Sequence, residues 1–345
     1  MNNNIPTESL ERLISSADSI VIIGHFNPDG DSIGSITGMY QYLAGRGKNV
    51  CAISPSSYPD FLSFLNPKGN PILVYTENKD AVQKALDSAD LIICQDLNRL
   101  SRTEQMAEGI KRAKAPKVLI DHHPNPEREW FDVVISDTEV SSTCELVFDI
   151  LMTMPDVAGD TSKLSLECAT SLYSGLLTDT NNYSNSLFPD TLTVASALMA
   201  RGIDSKQIYY NLFCSYSESR MRLMGKMLDN MIIIPEYKTA YMLLSLEDKA
   251  AFNFKDGDSE GFVNLPLAID GIEITALLAQ TPDFIRVSLR SKGDINVNDL
   301  AHSYFNGGGH VNASGGRLFD VPWSEVGSYF ENALACWKKG TTFVK

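Results

Sequence analysis

Residues 19–32 read SIVIIGHFNPDGDS, an apolar, largely β-branched run that ends at a glycine and passes at once into an imidazole, two carboxylates and turn residues. A short continuous apolar run bounded by turn signals predicts a strand covered on both faces, here Ser19 to Gly24. Pro28 and Gly30 shape the turn that follows, and a helix is expected from about Ser32 to Ala44. Strand, tight turn and helix make the first unit of an α/β sheet. His25, Asp29 and Asp31 share that turn, where the short spacing lets their side chains converge without long-range help. The two carboxylates can hold a metal together with His25, or they can simply cap the helix.

The same pattern recurs downstream. Val50 to Ser54, Leu91 to Gln95 and Lys117 to Ile120 predict further strands. Strands alternating with helical stretches predict a mainly parallel sheet flanked by helices, with ligands bound beyond the carboxyl ends of the strands. Asp96 closes LIICQD, Asp121-His122-His123 follow KVLI, and Asp179 ends an apolar segment that from Ser165 to Leu177 has helical spacing. Each aspartate alone can be a turn former, and two adjacent histidines can be a chance surface pair. Together, His25, Asp29, Asp31, Asp96, His122 and Asp179 offer mixed nitrogen and oxygen ligands for a pair of divalent ions at the strand ends of one sheet. Carboxylates alone suit Mg²⁺, whereas added imidazole shifts the preference toward Mn²⁺, Co²⁺ or Fe²⁺. Two such ions about 3.5–4 Å apart suit in-line displacement at phosphorus by water.

Beyond this half the pattern is helical from about Thr191 to Leu228. Met231 to Ile234, Thr239 to Ser245, Ile272 to Gln280 and Phe284 to Arg290 then predict strands or strand-helix alternation. Gly307-Gly308-Gly309-His310 predicts a turn that no helix or strand interior tolerates. Alternation places Arg286, Ser288 and Arg290 on one face of their strand. Arg290 can clamp a phosphate or carboxylate bidentately, and Gly307 to Gly309 can offer backbone N–H groups as an anion nest, with His310 adding a donor. Arg286 is equally readable as a solvated charge, and His302 reads as structural. Arg99 and Arg102 can reach a phosphate but equally suit a solvated helix, so they stand outside the expected site. The expected organisation is a metal-site domain over 1–190, a helical linker over 191–230 and a smaller α/β substrate-binding domain over 231–345.

A chain of 345 residues with 43% hydrophobic and 21% charged side chains supports two cores and excludes disorder, collagen and coiled coil. The net charge of −14 argues against a broad basic footprint for duplex nucleic acid and against anionic membrane surfaces. Its apolar runs fall far short of the roughly 20 residues of a membrane span. The opening MNNNIPTESLERL lacks the pattern of a secretory signal. The six cysteines include no C-x-x-C pair. A reduced, cytoplasmic protein is expected.

HFNPDGDSIGS (25–35), the Asp96 strand end, DHH (121–123), GLLTDT (175–180), IRVSLRS (285–291) and FNGGGHVNASG (305–315) resemble, in order and spacing over nearly the whole chain, the DHH phosphoesterases with a C-terminal DHHA1 domain. Within that family the resemblance is to the NrnA-like oligoribonuclease and phosphoadenosine-phosphate phosphatase group. The resemblance implies one metal on His25, Asp29 and Asp96, and a second on Asp31, Asp96, His122 and Asp179, with Asp96 bridging. It places His123 at the edge of the ligand shell, hydrogen-bonded toward the scissile phosphate, so that His123, Asp96 and His122 form the catalytic group. Asp121 is expected to orient the adjacent imidazoles. Arg290, Ser288, Gly307, Gly308, Gly309 and His310 are expected to contact the nucleotide away from the scissile bond.

The activity so implied is Mn²⁺-dependent hydrolysis of very short single-stranded RNA and of 3′-phosphoadenosine 5′-phosphate, held in a cleft between the domains. Hydrolysis of cyclic or linear dinucleotides such as c-di-AMP or pApA on the same site is the alternative. A RecJ-type exonuclease fits less well because no extra nucleic-acid-binding domain is present. An inorganic pyrophosphatase would leave GGGH and Arg290 without a nucleotide to bind. Six intact ligands argue against a module that only binds nucleotides, and a homodimer is compatible with the sequence. Members of the family often carry Gly and Phe after the T-D-T, where this chain has Asn181, Asn182 and Tyr183, which implies a differently shaped pocket beside Asp179.

Overall fold

A computed structural model describes residues 7–255 and 257–341; the ends of the two expected domains, 1–6 and 342–345, lie outside the described residues. The chain forms two compact units, the first ending at Ser215 and the second starting at Tyr216. The first runs α1 (Glu8–Ser16), β1 (Ser19–Ile23), α2 (Gly30–Gly45), β2 (Asn49–Ser54), β3 (Leu73–Val74), α3 (Lys79–Ser88), β4 (Leu91–Gln95), α4 (Ala107–Arg112), β5 (Lys117–Asp121) and β6 (Val133–Ser136). Four helices complete it: α5 (Thr143–Thr153), α6 (Leu166–Asp179), α7 (Thr191–Ala200) and α8 (Ser205–Phe213).

The six strands are all parallel, in the order β3-β2-β1-β4-β5-β6. Ile20, Ile22, Leu91, Ile93, Val118 and Ile120 pack on one face with α2, α5 and α6. Val21, Ile23, Ile92, Cys94 and Leu119 pack on the other with α3 and α4. Burial on both faces is why these strands read as unbroken apolar runs. The chain builds outward from β1 through β2 to β3, then crosses back to β4 on the other side of β1. That reversal opens a crevice at the carboxyl ends of β1 and β4, where residues 25–31 and Asp96 emerge.

Close packing of α2 on α6 brings a further group to the crevice. A Cβ on Gly34 would meet the Ser171 carbonyl oxygen at 2.6 Å, and one on Gly175 would meet Cys144 Sγ at 2.2 Å and Asp31 Cα at 3.0 Å. Only glycine admits this approach, which carries the carboxyl end of α6 to the start of α2. Asp179, grouped by the sequence with the strand ends, is instead the last residue of α6; helix packing delivers it.

The second unit comprises α9 (Glu218–Asp229), β7 (Ile232–Ile234), β8 (Thr239–Leu244), α10 (Leu246–Ala251), β9 (Ile274–Gln280), β10 (Ile285–Ser291), α11 (Val297–Tyr304), β11 (Gly308–Gly309), β12 (Ala313–Leu318) and α12 (Val326–Lys339). Its sheet, ordered β11-β12-β10-β9-β8-β7, is mixed: β8 and β9 are parallel and the other pairs antiparallel. Ile285, Val287 and Leu289 of β10 pack inward with Phe305 and Phe330. The helical stretch expected over 191–230 is three helices, with α7 and α8 in the first unit and α9 in the second. The glycines are not simply a turn, because Gly308 and Gly309 form an edge strand against Gly315 and Ser314. A side chain at Gly309 would strike β12, its Cβ lying 2.6 Å from the Ala313 carbonyl oxygen. Among the described residues no helix is long and apolar enough to cross a membrane.

Gly175→Ala is expected to destabilise the protein by about 1–3 kcal/mol through overpacking and to weaken divalent-cation binding by displacing Asp179. Urea denaturation and calorimetric titration with Mn²⁺ measure the two effects. Adding Cys144→Ala, which removes the atom struck, should recover part of both; no recovery would locate the strain elsewhere.

Candidate metal centre

His25 follows β1, and its Nδ1 lies 2.9 Å from the Phe26 carbonyl oxygen. Nδ1–H donates there, which leaves the lone pair on Nε2. Nε2 is buried and makes no hydrogen bond, yet it faces Asp96 Oδ2 at 3.3 Å and Asp29 Oδ1 at 3.8 Å. A buried acceptor turned toward two carboxylates is the donor set of a cation, so these residues fit a divalent ion.

Asp29 caps α2: its Oδ1 accepts from the backbone N–H groups of Asp31 and Ser32, both at 3.1 Å. Capping does not use all the lone pairs of a carboxylate, so the two readings of this residue are compatible. Asp31 is a different case, because the turn alone does not aim it. Its Oδ2 accepts from the Thr143 N–H at 2.7 Å and its Oδ1 from the Cys144 N–H at 2.8 Å, so the amino end of α5 holds it. Unpaired N–H groups and the positive end of the helix dipole favour a carboxylate at this point.

Asp96 leaves β4 in a left-handed conformation, φ 58°, and its Oδ1 accepts from the Thr143 hydroxyl at 3.2 Å. Two candidate ligand groups share it: His25, Asp29 and Asp96, and Asp31, Asp96 and His122, the donor atoms of each lying within 4.8 Å of one another. His122 Nε2 stands 3.7 Å from Asp96 Oδ1, 4.0 Å from Asp31 Oδ2 and 3.4 Å from Asp179 Oδ2. All six expected ligands therefore meet at one end of the sheet.

The neighbouring imidazole is held differently. His123 Nδ1 lies 2.8 Å from Asp121 Oδ1, and the His123 backbone N–H donates to Asp121 Oδ2 at 3.1 Å. On its other side His123 Nε2 meets Arg102 Nη1 at 3.1 Å. A guanidinium only donates, so the ring accepts at Nε2 and donates from Nδ1 to Asp121. Arg102 also donates to the Asp96 carbonyl oxygen at 3.3 Å.

Gathering these carboxylates is electrostatically unfavourable. Burial, then the charges of Asp96 and Asp29, push the Asp31 carboxyl well above the usual carboxylate range. Burial, then the charges of Asp31, Asp29 and Asp96, push Asp179 in the same direction. Burial and Arg102 oppose protonation of His25, but the facing carboxylates of Asp29 and Asp96 outweigh them and raise it to about 9. Each shift expresses a demand for positive charge at the centre of the cluster.

In the second unit Arg286, Ser288 and Arg290 alternate with buried neighbours, which puts them on one face of β10. Ser288 pairs with Gly315, and Gly315 with Gly308, so β11 lies two strand spacings from β10, about 10 Å. Arg290 Nη1 donates to the Leu289 carbonyl oxygen, and Arg286 Nη2 to the Ser259 hydroxyl. The expected anion nest is reduced, because the N–H of Gly307 donates to the Ala301 carbonyl and that of His310 to the Ala313 carbonyl. His302 is exposed near the end of α11.

Three contributors were not in the sequence reading's site. The Thr143 hydroxyl and the amino end of α5 were missed, although Ser142, three residues before Glu145, is an N-terminal helix signal that would have placed that end. Arg102, readable from sequence as a solvated charge, is instead half-buried against His123, whereas Arg99 is exposed.

A mixed imidazole–carboxylate centre at the switch point of a parallel α/β sheet, followed by a second unit built on a mixed sheet, defines a phosphoester hydrolase. Residues 19–176 match the family model described as the DHH family, N-terminal domain, and residues 237–334 match the DHHA1 domain. The chain belongs to the DHH phosphoesterase family, and its second domain is of the DHHA1 type. It is 30% identical over 301 residues to a bifunctional oligoribonuclease and PAP phosphatase of Thermus thermophilus, covering 87% of this chain and 84% of that protein. It is 24% identical to a cyclic-di-AMP phosphodiesterase of Listeria monocytogenes, over 97% of this chain and 50% of that one. The crystal structure of an exopolyphosphatase-related protein from Bacteroides fragilis superposes with a TM-score of 0.90 at 38% identity, covering 98% of this chain and 99% of that one.

A carboxyl whose folded-state pKa is raised binds its proton more tightly in the folded protein, so metal-free stability falls as pH rises from the carboxylate range toward neutral. Asp179→Asn is therefore expected to raise the metal-free melting temperature at pH 7. Mn²⁺ at about 100 times its dissociation constant should add about 2.7 kcal/mol to the wild type and less to the variant. Calorimetry with and without Mn²⁺ checks both signs.

Proposed function

We propose that this chain is a Mn²⁺-dependent phosphodiesterase and phosphomonoesterase that hydrolyses very short oligoribonucleotides to mononucleotides and removes a phosphate from 3′-phosphoadenosine 5′-phosphate. The observation that carries the reading is the pair of ligand groups sharing Asp96. His25, Asp29 and Asp96 would hold one ion, and Asp31, Asp96, His122 and Asp179 the other. Two such ions, when bound, supply an activated water and stabilise the attacking and leaving oxygens of an in-line displacement.

The chain's own residues do the rest. The amino end of α5 fixes Asp31, the Thr143 hydroxyl fixes Asp96, and Asp121 fixes the tautomer of His123. Catalytic ligands so restrained need no reorganisation during reaction. Arg290, Ser288 and His310 of the second unit are the groups proposed to bind the nucleotide away from the bond cleaved. The activity named for the Thermus relative supports this choice of substrates. The Listeria relative, a cyclic-di-AMP phosphodiesterase, supports a second reading in which c-di-AMP or pApA is hydrolysed on the same site.

The purified chain with Mn²⁺, assayed against 5′-labelled RNA from dimers to 24-mers, phosphoadenosine phosphate, pApA, c-di-AMP and pyrophosphate, separates these readings. RNA dimers and phosphoadenosine phosphate should turn over fastest; preference for c-di-AMP or pApA would favour the second reading, and no turnover of any would sink both. Asp96→Ala or His122→Ala should lower the rate by about 10³-fold or more, since the metal contribution is several kcal/mol. Arg290→Ala should raise KM for nucleotides while Mn²⁺ occupancy persists; equal loss of metal would contradict its assignment to nucleotide binding.

A further inference from the structure

Arg102 stands in an unusual position for a cation. It is half-buried, on the segment that follows β4, within electrostatic reach of the Asp29 and Asp179 carboxylates, and among the described residues it forms no salt bridge with either. Its Nη1 goes instead to His123 Nε2 and to the Asp96 carbonyl oxygen. The segment it sits on is anchored to the first motif, since the Phe26 N–H donates to the Arg102 carbonyl oxygen at 2.7 Å. Two residues on, Glu104 takes φ 51° and ψ −123°, a conformation that non-glycine residues adopt only when their surroundings impose it.

The contact with His123 changes what that imidazole offers. While Nε2 accepts from Arg102 and Nδ1 donates to Asp121, the ring has no N–H left for an anion. The guanidinium has five N–H donors, and those not spent on His123 and Asp96 are the charge-assisted donors this part of the site presents. Their planar fork matches phosphate oxygens. Electrostatically, Arg102 is a positive charge next to the shared ligand Asp96, and a positive charge there would stabilise the charge that builds on a phosphoryl group during displacement.

We propose that Arg102 is a further catalytic residue, donating to a non-bridging oxygen of the phosphate being hydrolysed, with His123 and Asp121 as the relay that aims its guanidinium. The proposal rests on the phosphoester-hydrolase reading above and adds to it the group that neutralises the reacting phosphate. His123 acts here as a positioning residue, through Arg102.

The test uses the full chain saturated with Mn²⁺ and orthophosphate as the probe, followed by calorimetry, alongside turnover of an RNA dinucleotide. Arg102→Met should weaken orthophosphate binding about tenfold or more, the scale of a hydrogen bond to a charged group. It should also lower kcat about 10²-fold, with no loss of Mn²⁺ affinity and no loss of melting temperature in the Mn²⁺-saturated protein. Arg102→Lys, which keeps the charge but not the fork, should fall between wild type and Arg102→Met in both readouts. Wild-type phosphate affinity in Arg102→Met would overturn the proposal, and so would a parallel loss of Mn²⁺ affinity and melting temperature, which would make Arg102 a brace. If the wild type turns over no nucleotide, the functional reading fails, and the orthophosphate measurement still decides whether Arg102 binds phosphate.

Discussion

Mutual repulsion among carboxylates confined at one edge of a parallel sheet is the constraint that the first unit is organised around. Two unit charges 4 Å apart in a site of effective dielectric constant near 20 interact by about 4 kcal/mol, a large share of what holds a domain folded. Each feature that converges on the crevice is an answer to that repulsion. The amino end of α5 meets Asp31 with two N–H groups, the Thr143 hydroxyl meets Asp96, and His25, His122 and Arg102 bring nitrogen or positive charge. None of these removes the repulsion: burial first, and then the neighbouring carboxylates, still hold Asp31 and Asp179 well above the usual carboxylate range.

The backbone shows the same compromise. Asn27, Asp96, Asn181, Asn182 and Tyr183 all take positive φ, and all flank the proposed ligands. Asparagine and aspartate tolerate this region better than other side chains, whereas for a bulky residue such as Tyr183 it is an outlier. Asp96 illustrates why the conformation persists: its N–H remains bonded to the Ile120 carbonyl oxygen, continuing the sheet, while its side chain turns toward both groups of ligands. A regular strand ending would point Asp96 to one face. Local strain at this residue is what allows one carboxylate to serve two groups.

Much of this was legible in the sequence, for reasons that differ residue by residue. β1, β4 and β5 were readable because both faces of the sheet are covered, which leaves an unbroken apolar signal ending in Gly24, Asp96 and Asp121. The convergence of His25 with Asp29 was local and followed from the turn. The hold on Asp31 was not, since it comes from Thr143 and Cys144, over a hundred positions further along the chain, and no local pattern encodes which helix end will meet a carboxylate. Asp179 was identified from its segment, whose helical spacing was legible, but how it reaches the strand ends was not, because its position depends on how closely Gly34 and Gly175 let two helices approach. Gly308 and Gly309 read as a turn for a related reason: glycine signals close backbone approach without saying whether the neighbour is a turn or a strand edge.

The acidic balance of the chain, −14 overall, is at first sight at odds with an anionic substrate. Distance resolves it. At physiological ionic strength fields are screened over about 8 Å, so a phosphate in the crevice responds to Arg102 and to whatever cations the ligand groups hold, and hardly to the remote surface. Filling both proposed groups with divalent ions would offset the charge of the four ligand aspartates, leaving Arg102 and, on the far side of His123, Asp121 as the remaining charges of this part of the crevice. The acidic balance is compatible with the proposed preference for very short substrates, since a longer strand adds negative charge without adding a phosphate at the centre.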